Sequence, residues 1–271
     1  MTYIQAIILA IIEGITEFLP ISSTGHMALA SAILRIENKD FATLFIENIQ
    51  FGTIISVLIL YFKRFINFKN PAFYLKLLVA FLPAVIVGLL LKPYIDEVIK
   101  KPLVIAIVMF LGGIILLFVD NWFNKPEKEE ESQITYKNAL IIGIFQLLSI
   151  IFPGFSRSAA TIIGGMQQKL TRKLAAEFSF FLAVPTLAGA FAKSLWDAHK
   201  HNPVFLTSTD HYLEKLILGN AIGFLVAIIA IKAFITYLQK HGFRVFGYYR
   251  IIAGIFLIIF FLLTGQSLMV N

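Results

Sequence analysis

The sequence predicts an all-α integral membrane protein, with six transmembrane helices plus two broken re-entrant helix pairs arranged as an inverted repeat. Three observations predict it. The chain of 271 residues is 58% hydrophobic and 14% charged, with a mean hydropathy of +0.83, a composition foreign to soluble domains of this length. Six apolar stretches are long enough to cross a hydrocarbon core of ~30 Å as helices. Two further apolar stretches are interrupted midway, residues 3–36 at Pro20 and residues 138–168 at Pro153-Gly154. Each reads as a helix pair that enters and leaves on one side. Irregular backbone at that depth is tolerated only under protein cover or along a wet cavity.

The elements follow in order. Met1–Ile12 is apolar but has no basic leader and no small-residue cleavage site, and it runs into Glu13 and Glu17. It reads as part of the first broken pair and not as a signal peptide. The six spans are Phe41–Phe62, Tyr74–Leu91, Pro102–Trp122, Leu174–Leu195, Leu216–Leu238 and Tyr249–Met269. The acidic run Glu127–Glu131 lies in a polar loop and reads as solvated. Trp196–Tyr212, with His199, His201 and His211, reads as a solvated outer loop, because its histidines lack metal-ligand spacing and acidic partners.

The whole chain, 1–271, is expected to form a single polytopic domain of two related halves, about 1–122 and 138–271. Gly14, Glu17 and Gly25 match Gly143, Gln146 and Gly154 at an offset of 129, and Glu47 matches Glu177 at 130. One broken pair plus three spans per half is an odd number of crossings, so the halves must be inverted. Fourteen Lys and Arg, among them Lys63, Arg64, Lys128, Arg172 and Arg250, fall on one side. Eight, among them Arg35, Lys92 and Lys193, fall on the other. The first side is therefore cytoplasmic and both termini lie outside. The formal charge of +7 fits basic loops facing anionic lipid and not nucleic-acid binding. With no cysteine, disulfide and thiolate chemistry are excluded.

Two polar segments carry the chemistry: Glu13-Gly-Ile-Thr-Glu17-Phe-Leu-Pro-Ile-Ser-Ser-Thr-Gly-His26 and Pro153-Gly-Phe-Ser-Arg-Ser158. Ionisable groups at membrane depth are functional candidates by default. Glu13 and Glu17 share a helix face, suiting them to hold a divalent cation or to supply a base. Ser22, Ser23 and Thr24 are placed to cap the helix after Pro20, and a helix N-terminus also binds phosphate. His26, three residues after Ser23, is a base to a serine or a direct partner of phosphate. Ser156, Arg157 and Ser158, with Thr161 one turn on, make an oxyanion cradle whose arginine fork matches a diphosphate. The bland alternative for Arg157 is an ion pair with Glu13, Glu17 or Glu177. Glu47 and Glu177 read as polar ties between helices.

Both segments resemble the paired signatures of the undecaprenyl-diphosphatase family linked to bacitracin resistance. The likeness runs the length of the chain and includes Glu177-Phe-Ser-Phe-Phe-Leu-Ala-Val-Pro185. Ala159 departs from it, standing where the family often has glycine. The resemblance implies hydrolysis of undecaprenyl diphosphate to undecaprenyl phosphate in the bacterial cell (inner) membrane, at a site that opens to the outside and uses a divalent cation, Mg2+ or Ca2+. By motif position, Glu13 and Glu17 would be the acidic pair, Ser23 the nucleophile, His26 the acid/base group and Arg157 the phosphate clamp, with Ser156 and Thr161 assisting. A lipid-flipping transporter is the main rival, since inverted repeats and midplane ionisable sites serve transport too. The phosphatidic-acid-phosphatase-like fold is a weaker rival, echoed only in Ser23-Thr-Gly-His26. The sequence leaves the oligomeric state open, a homodimer included.

Overall fold

A computed structural model describes residues 1–36, 38–201 and 211–265. The ordered elements among them are helical, apart from an isolated bridge between Lys128 and Leu170. In chain order they are α1 (Tyr3–Thr16), α2 (Ser23–Leu34), α3 (Lys39–Leu60), α4 (Phe62–Phe65), α5 (Pro71–Leu90), α6 (Lys92–Val98) and α7 (Pro102–Trp122), then α8 (Tyr136–Ile151), α9 (Arg157–Gln167), α10 (Arg172–His201), α11 (Tyr212–His241) and α12 (Arg244–Thr264). Six of them, α3, α5, α7, α10, α11 and α12, are long and apolar enough to cross a membrane. They correspond one for one to the expected spans. Their outer surface is greasy: Leu90, Ile229, Ile252 and Leu263 are all well exposed. For large apolar side chains that is a face made for lipid.

Local chemistry sets the helix starts. Thr2 with Gln5 and Thr135 with Asn138 form capping boxes at α1 and α8. Pro71 and Pro102 open α5 and α7, where a missing N–H costs nothing. The two interrupted stretches break where expected. α1 and α2 are 14 and 12 residues long, α8 and α9 are 16 and 11. At 1.5 Å per residue none of the four crosses ~30 Å alone. At the second break Gly154 has φ of +103°, and a Cβ there would stand 2.4 Å from the Ile105 carbonyl of α7, so only glycine fits.

Helix packing is interlocked. α7 packs along α12, α3 and α1 along α11, α5 along α8, and α10 lies against α3, α5 and α9. A phenylalanine-rich core joins the halves, with Phe18 edge-on to Phe180 at 5.3 Å. Polar contacts add to it. Ser194 Oγ donates to Glu47 at 2.6 Å, tying α3 to α10. Glu177 pairs with Lys173 of its own helix at 4.0 Å and also interacts electrostatically with Arg64 of α4. Half-buried Asp120 of α7 accepts from Arg172 Nε and from the Phe243 N–H, each at 2.7 Å, and so anchors the α11–α12 corner. Asp120→Ala is expected to cost about 2 kcal/mol, from an orphaned N–H and a lost charge-assisted bond. A lower melting temperature in detergent, with turnover per folded molecule retained, is the readout.

Several expectations need correction. α10 runs on through His201, so His199 is helical and not in a loop. The last span begins at Arg244 and not at Tyr249, while its expected end at Met269, like the loop residues 202–210, lies outside the described residues. The acidic run is not simply solvated: Glu127 pairs with Lys169, and Glu131 is buried against Arg64 at 3.3 Å. Arg250, counted among loop cations, is 0% exposed inside the protein. Matching local geometry recurs at a different spacing from the one read off identities. Thr2 and Thr135 cap α1 and α8, Pro20 and Pro153 stand at the two breaks, and Ser22 and Ser156 cap α2 and α9 with φ of 70° and 78°. These pairs stand 133 to 134 residues apart, whereas Gly14 with Gly143 and Glu17 with Gln146 stand 129 apart.

Candidate active site

The two breaks meet. Ser158 Oγ of α9 donates to the Phe18 carbonyl in the first break at 2.7 Å, and the N-termini of α2 and α9 gather around that contact. Each begins in the same way. Ser22 Oγ accepts from Gly25 N–H and Ser156 Oγ from Ala159 N–H, both at 3.3 Å. The first N–H groups of each helix have no partner within it and carry the positive end of its dipole. Ser22 and Ser156, expected as phosphate ligands, thus spend their hydroxyls on capping and are buried. What they offer an anion is the helix ends they hold open.

Three side chains form a continuous chain across the junction. Ser23 Oγ donates to Glu17 Oε2 at 2.7 Å. Arg157 Nη2 donates to Glu17 Oε1 at 2.8 Å, and its Nη1 donates to the Ser179 carbonyl at 3.0 Å. Glu17 and the guanidinium are largely buried, with side chains 5% and 11% exposed. Phe18 lies 5.7 Å below the guanidinium carbon. One carboxylate therefore faces a hydroxyl with one oxygen and a cation with the other. The ion-pair partner of Arg157 is Glu17, not Glu13 or Glu177.

Glu13 sits one turn before Glu17 and is 0% exposed. Both its oxygens are buried without a well-formed hydrogen bond, with the Glu17 and Gln50 side chains beside them. A carboxylate in that state lacks compensation for its lost hydration, unless it is neutral or bound to a cation. Among the described residues no group of three or more His, Asp or Glu gathers as a metal cage. A cation bound by one or two carboxylates with its remaining positions open is the arrangement Mg2+ takes with phosphates.

The remaining expected residues are disposed differently. His26 does not reach Ser23. Its Nδ1 bonds the Ser22 carbonyl at 2.7 Å and its Nε2 bonds Tyr249 Oη at 2.6 Å. A carbonyl only accepts, so Nδ1 carries a proton, and in the neutral ring Nε2 accepts from the tyrosine. The base contact at Ser23 is Glu17, not His26. Ser158 and Thr161 are both fully buried. Thr161 Oγ1 pairs with Ser179 Oγ at 2.6 Å, beneath the carbonyl that holds Arg157. These two hydroxyls brace the cradle and do not face a ligand. Thr24 is half-buried at the mouth of α2. Sequence reasoning gave no role to Ser179, inside the quoted Glu177–Pro185 stretch, or to Tyr249, which no local motif marks.

A family model described as Bacitracin resistance protein BacA matches residues 6–256. The chain belongs to the BacA family. A BacA-family relative named undecaprenyl-diphosphatase from Flavobacterium johnsoniae is 56% identical over 260 residues, covering 96% of each chain. Relatives of the same name from Porphyromonas gingivalis and Aquifex aeolicus are 48% and 42% identical, covering 100% and 97% of this chain and 100% of their own. The BacA match encloses every site residue described above.

Proposed function

We propose that this chain hydrolyses undecaprenyl diphosphate to undecaprenyl phosphate and inorganic phosphate. That reaction recycles the lipid carrier for peptidoglycan and other envelope polymers and confers bacitracin resistance. The observation that carries the reading is the Ser23–Glu17–Arg157 chain at the meeting of two helix N-termini. Phosphoryl transfer asks mainly for positioning and charge stabilisation, and these groups supply both. A lipid flippase has no use for a serine hydrogen-bonded to a carboxylate.

The isoprenoid tail lies along the apolar spans and the diphosphate enters the junction. Arg157 and the N–H groups of α2 and α9 take its negative charge. As phosphate oxygens compete for the guanidinium, Glu17 is freed from its cation and takes the Ser23 proton. Ser23 Oγ attacks the terminal phosphorus, the bridging bond breaks and undecaprenyl phosphate leaves. Water then cleaves the phosphoseryl group. Direct attack by a water that Glu17 activates is the alternative route. His26, held by Ser22 and Tyr249, lines the mouth and orients the α2 N-terminus.

A divalent cation, Mg2+ or Ca2+, fits the buried and poorly compensated Glu13 carboxylate, with Glu17 adjacent. When bound it would neutralise charge on the diphosphate and its leaving group. Glu13→Gln is expected to raise the cation concentration for half-maximal rate by about tenfold, as second carboxylates typically tune affinity. A cation titration at saturating substrate measures it.

The short α1/α2 and α8/α9 pairs support re-entrant hairpins, and their recurring caps and breaks support an inverted repeat. The chain is then one domain of two halves in the bacterial cell membrane, its site facing the periplasmic side. The test of function is phosphate release from a long-chain isoprenyl diphosphate by purified protein, with and without chelator. Cation-dependent release that Arg157→Ala abolishes and His26→Ala only reduces is expected. No release under any cation would overturn the reading.

A further inference from the structure

Arg250 is the largest fully buried side chain among the described residues. Its hydrogen-bond partners are all main-chain carbonyls. Nη1 donates to Pro20 O at 3.2 Å and to Phe155 O at 2.7 Å, Nη2 to Gly154 O at 3.0 Å, and Nε to Met109 O at 3.1 Å. Pro20 belongs to the first break, Gly154 and Phe155 to the second, and Met109 to α7. One planar group therefore ties both breaks to one another and to a spanning helix. Its slot is made by glycine: a Cβ at Gly112 would stand 2.2 Å from Nη2, and one at Gly113 would stand 2.8 Å from the arginine's own Cβ.

This is a costly way to fill space. A guanidinium taken out of water with carbonyl dipoles and the Phe155 ring around it, and no carboxylate, is poorly compensated, and an apolar side chain of similar volume would serve a core better. What the arginine provides is geometry. Its five donors point in fixed directions in one plane. Two carbonyls on a single nitrogen cannot drift apart. Those carbonyls lie just before Ser22 and Ser156, the caps of the two anion-facing helix ends. Holding them back keeps negative dipoles behind the site while the N–H groups face forward.

We propose that Arg250 is a positioning residue for phosphoryl transfer, setting the spacing between the α2 and α9 N-termini and so between Ser23 and Arg157. The proposal rests on the hydrolase reading above. It acts through backbone and touches no reacting atom. Lysine keeps the charge but has one nitrogen, which cannot serve carbonyls spread over three guanidinium nitrogens.

The experiment uses full-length protein in detergent, with phosphate release and thermal melting measured on the same samples. Arg250→Lys is expected to lower kcat about 100-fold with KM little changed, the scale of an ångström's misplacement. Gly112→Ala keeps the arginine but pushes it from its slot, and is expected to show the same kcat-selective loss. Gly88→Ala, where an added Cβ meets nothing within 4 Å, is expected to match the parent. Combined with Arg157→Lys, Arg250→Lys is expected to cost much less than its effect alone, because both act on one geometry. A purely structural role would instead lower the melting temperature, leave kcat per folded molecule unchanged and multiply with Arg157→Lys. Unchanged kcat in Arg250→Lys or, if that variant fails to fold, in Gly112→Ala would overturn the proposal. A parent enzyme that releases no phosphate would overturn the hydrolase reading and this inference with it. Parent turnover with unaffected variants would overturn this inference alone.

Discussion

Arg157→Ala is expected to lower kcat/KM by about a thousandfold, roughly 4 kcal/mol of transition-state stabilisation. Two effects add. The first is loss of a planar fork that donates parallel hydrogen bonds to phosphate oxygens, in a site where little water screens them. The second falls on Glu17. Its Oε1 accepts from Arg157 at 2.8 Å, and its side chain is 5% exposed. Without the cation a buried carboxylate faces the incoming diphosphate and repels it. Arg157→Lys restores the charge but not the fork, and is expected to recover about tenfold of the loss. Phosphate-release kinetics on both variants, with melting curves as the folding control, measure this. Arg157→Ala with more than a tenth of parental turnover would reduce the Arg157–Glu17 pair to a tie between the two halves.

The spans were legible because twenty consecutive apolar residues leave few alternatives, and the breaks because Pro20 and Pro153-Gly154 interrupt long apolar runs. The acid pair and Arg157 were legible because charge in such runs is rare. Arg250 was not. A tally of cations along the chain assigns any arginine near the end of a span to a loop. What places it inside is α12 beginning at Arg244 and a glycine slot on α7, more than a hundred residues away. The contact expected between His26 and Ser23 is absent for a related reason. Three residues from Ser23 suggests contact, yet its Nδ1 turns back to the Ser22 carbonyl, a bond set by the cap's backbone and not by spacing. Caps and breaks recur at a spacing that the scattered glycine identities do not share. In the register of the caps, the first residue of α2 is Ser23 and the first of α9 is Arg157. The first residues of the two similarly capped helices thus carry the hydroxyl and the cation.

Glu17→Gln is expected to lower kcat by about a thousandfold, while Glu17→Asp retains more, because a shortened base still accepts a proton and an amide does not. Glutamine keeps the volume and still accepts from Arg157, so substrate binding and melting temperature should change little. That separates lost chemistry from lost structure. The same contact decides the route. Ser23 Oγ lies 2.7 Å from Glu17 Oε2 before any substrate arrives, the arrangement of a nucleophile beside its base. If Ser23 attacks, rapid quench with substrate labelled at the terminal phosphate will trap label on Ser23. The Ser23→Ala variant will then lose turnover about as completely as Glu17→Gln, since residues acting as one unit do not contribute independently. If Glu17 instead activates water, no label will be trapped and Ser23→Ala will keep measurable turnover while Glu17→Gln does not. Glu17 is required on either route, because it is the one group that touches both the hydroxyl and the guanidinium.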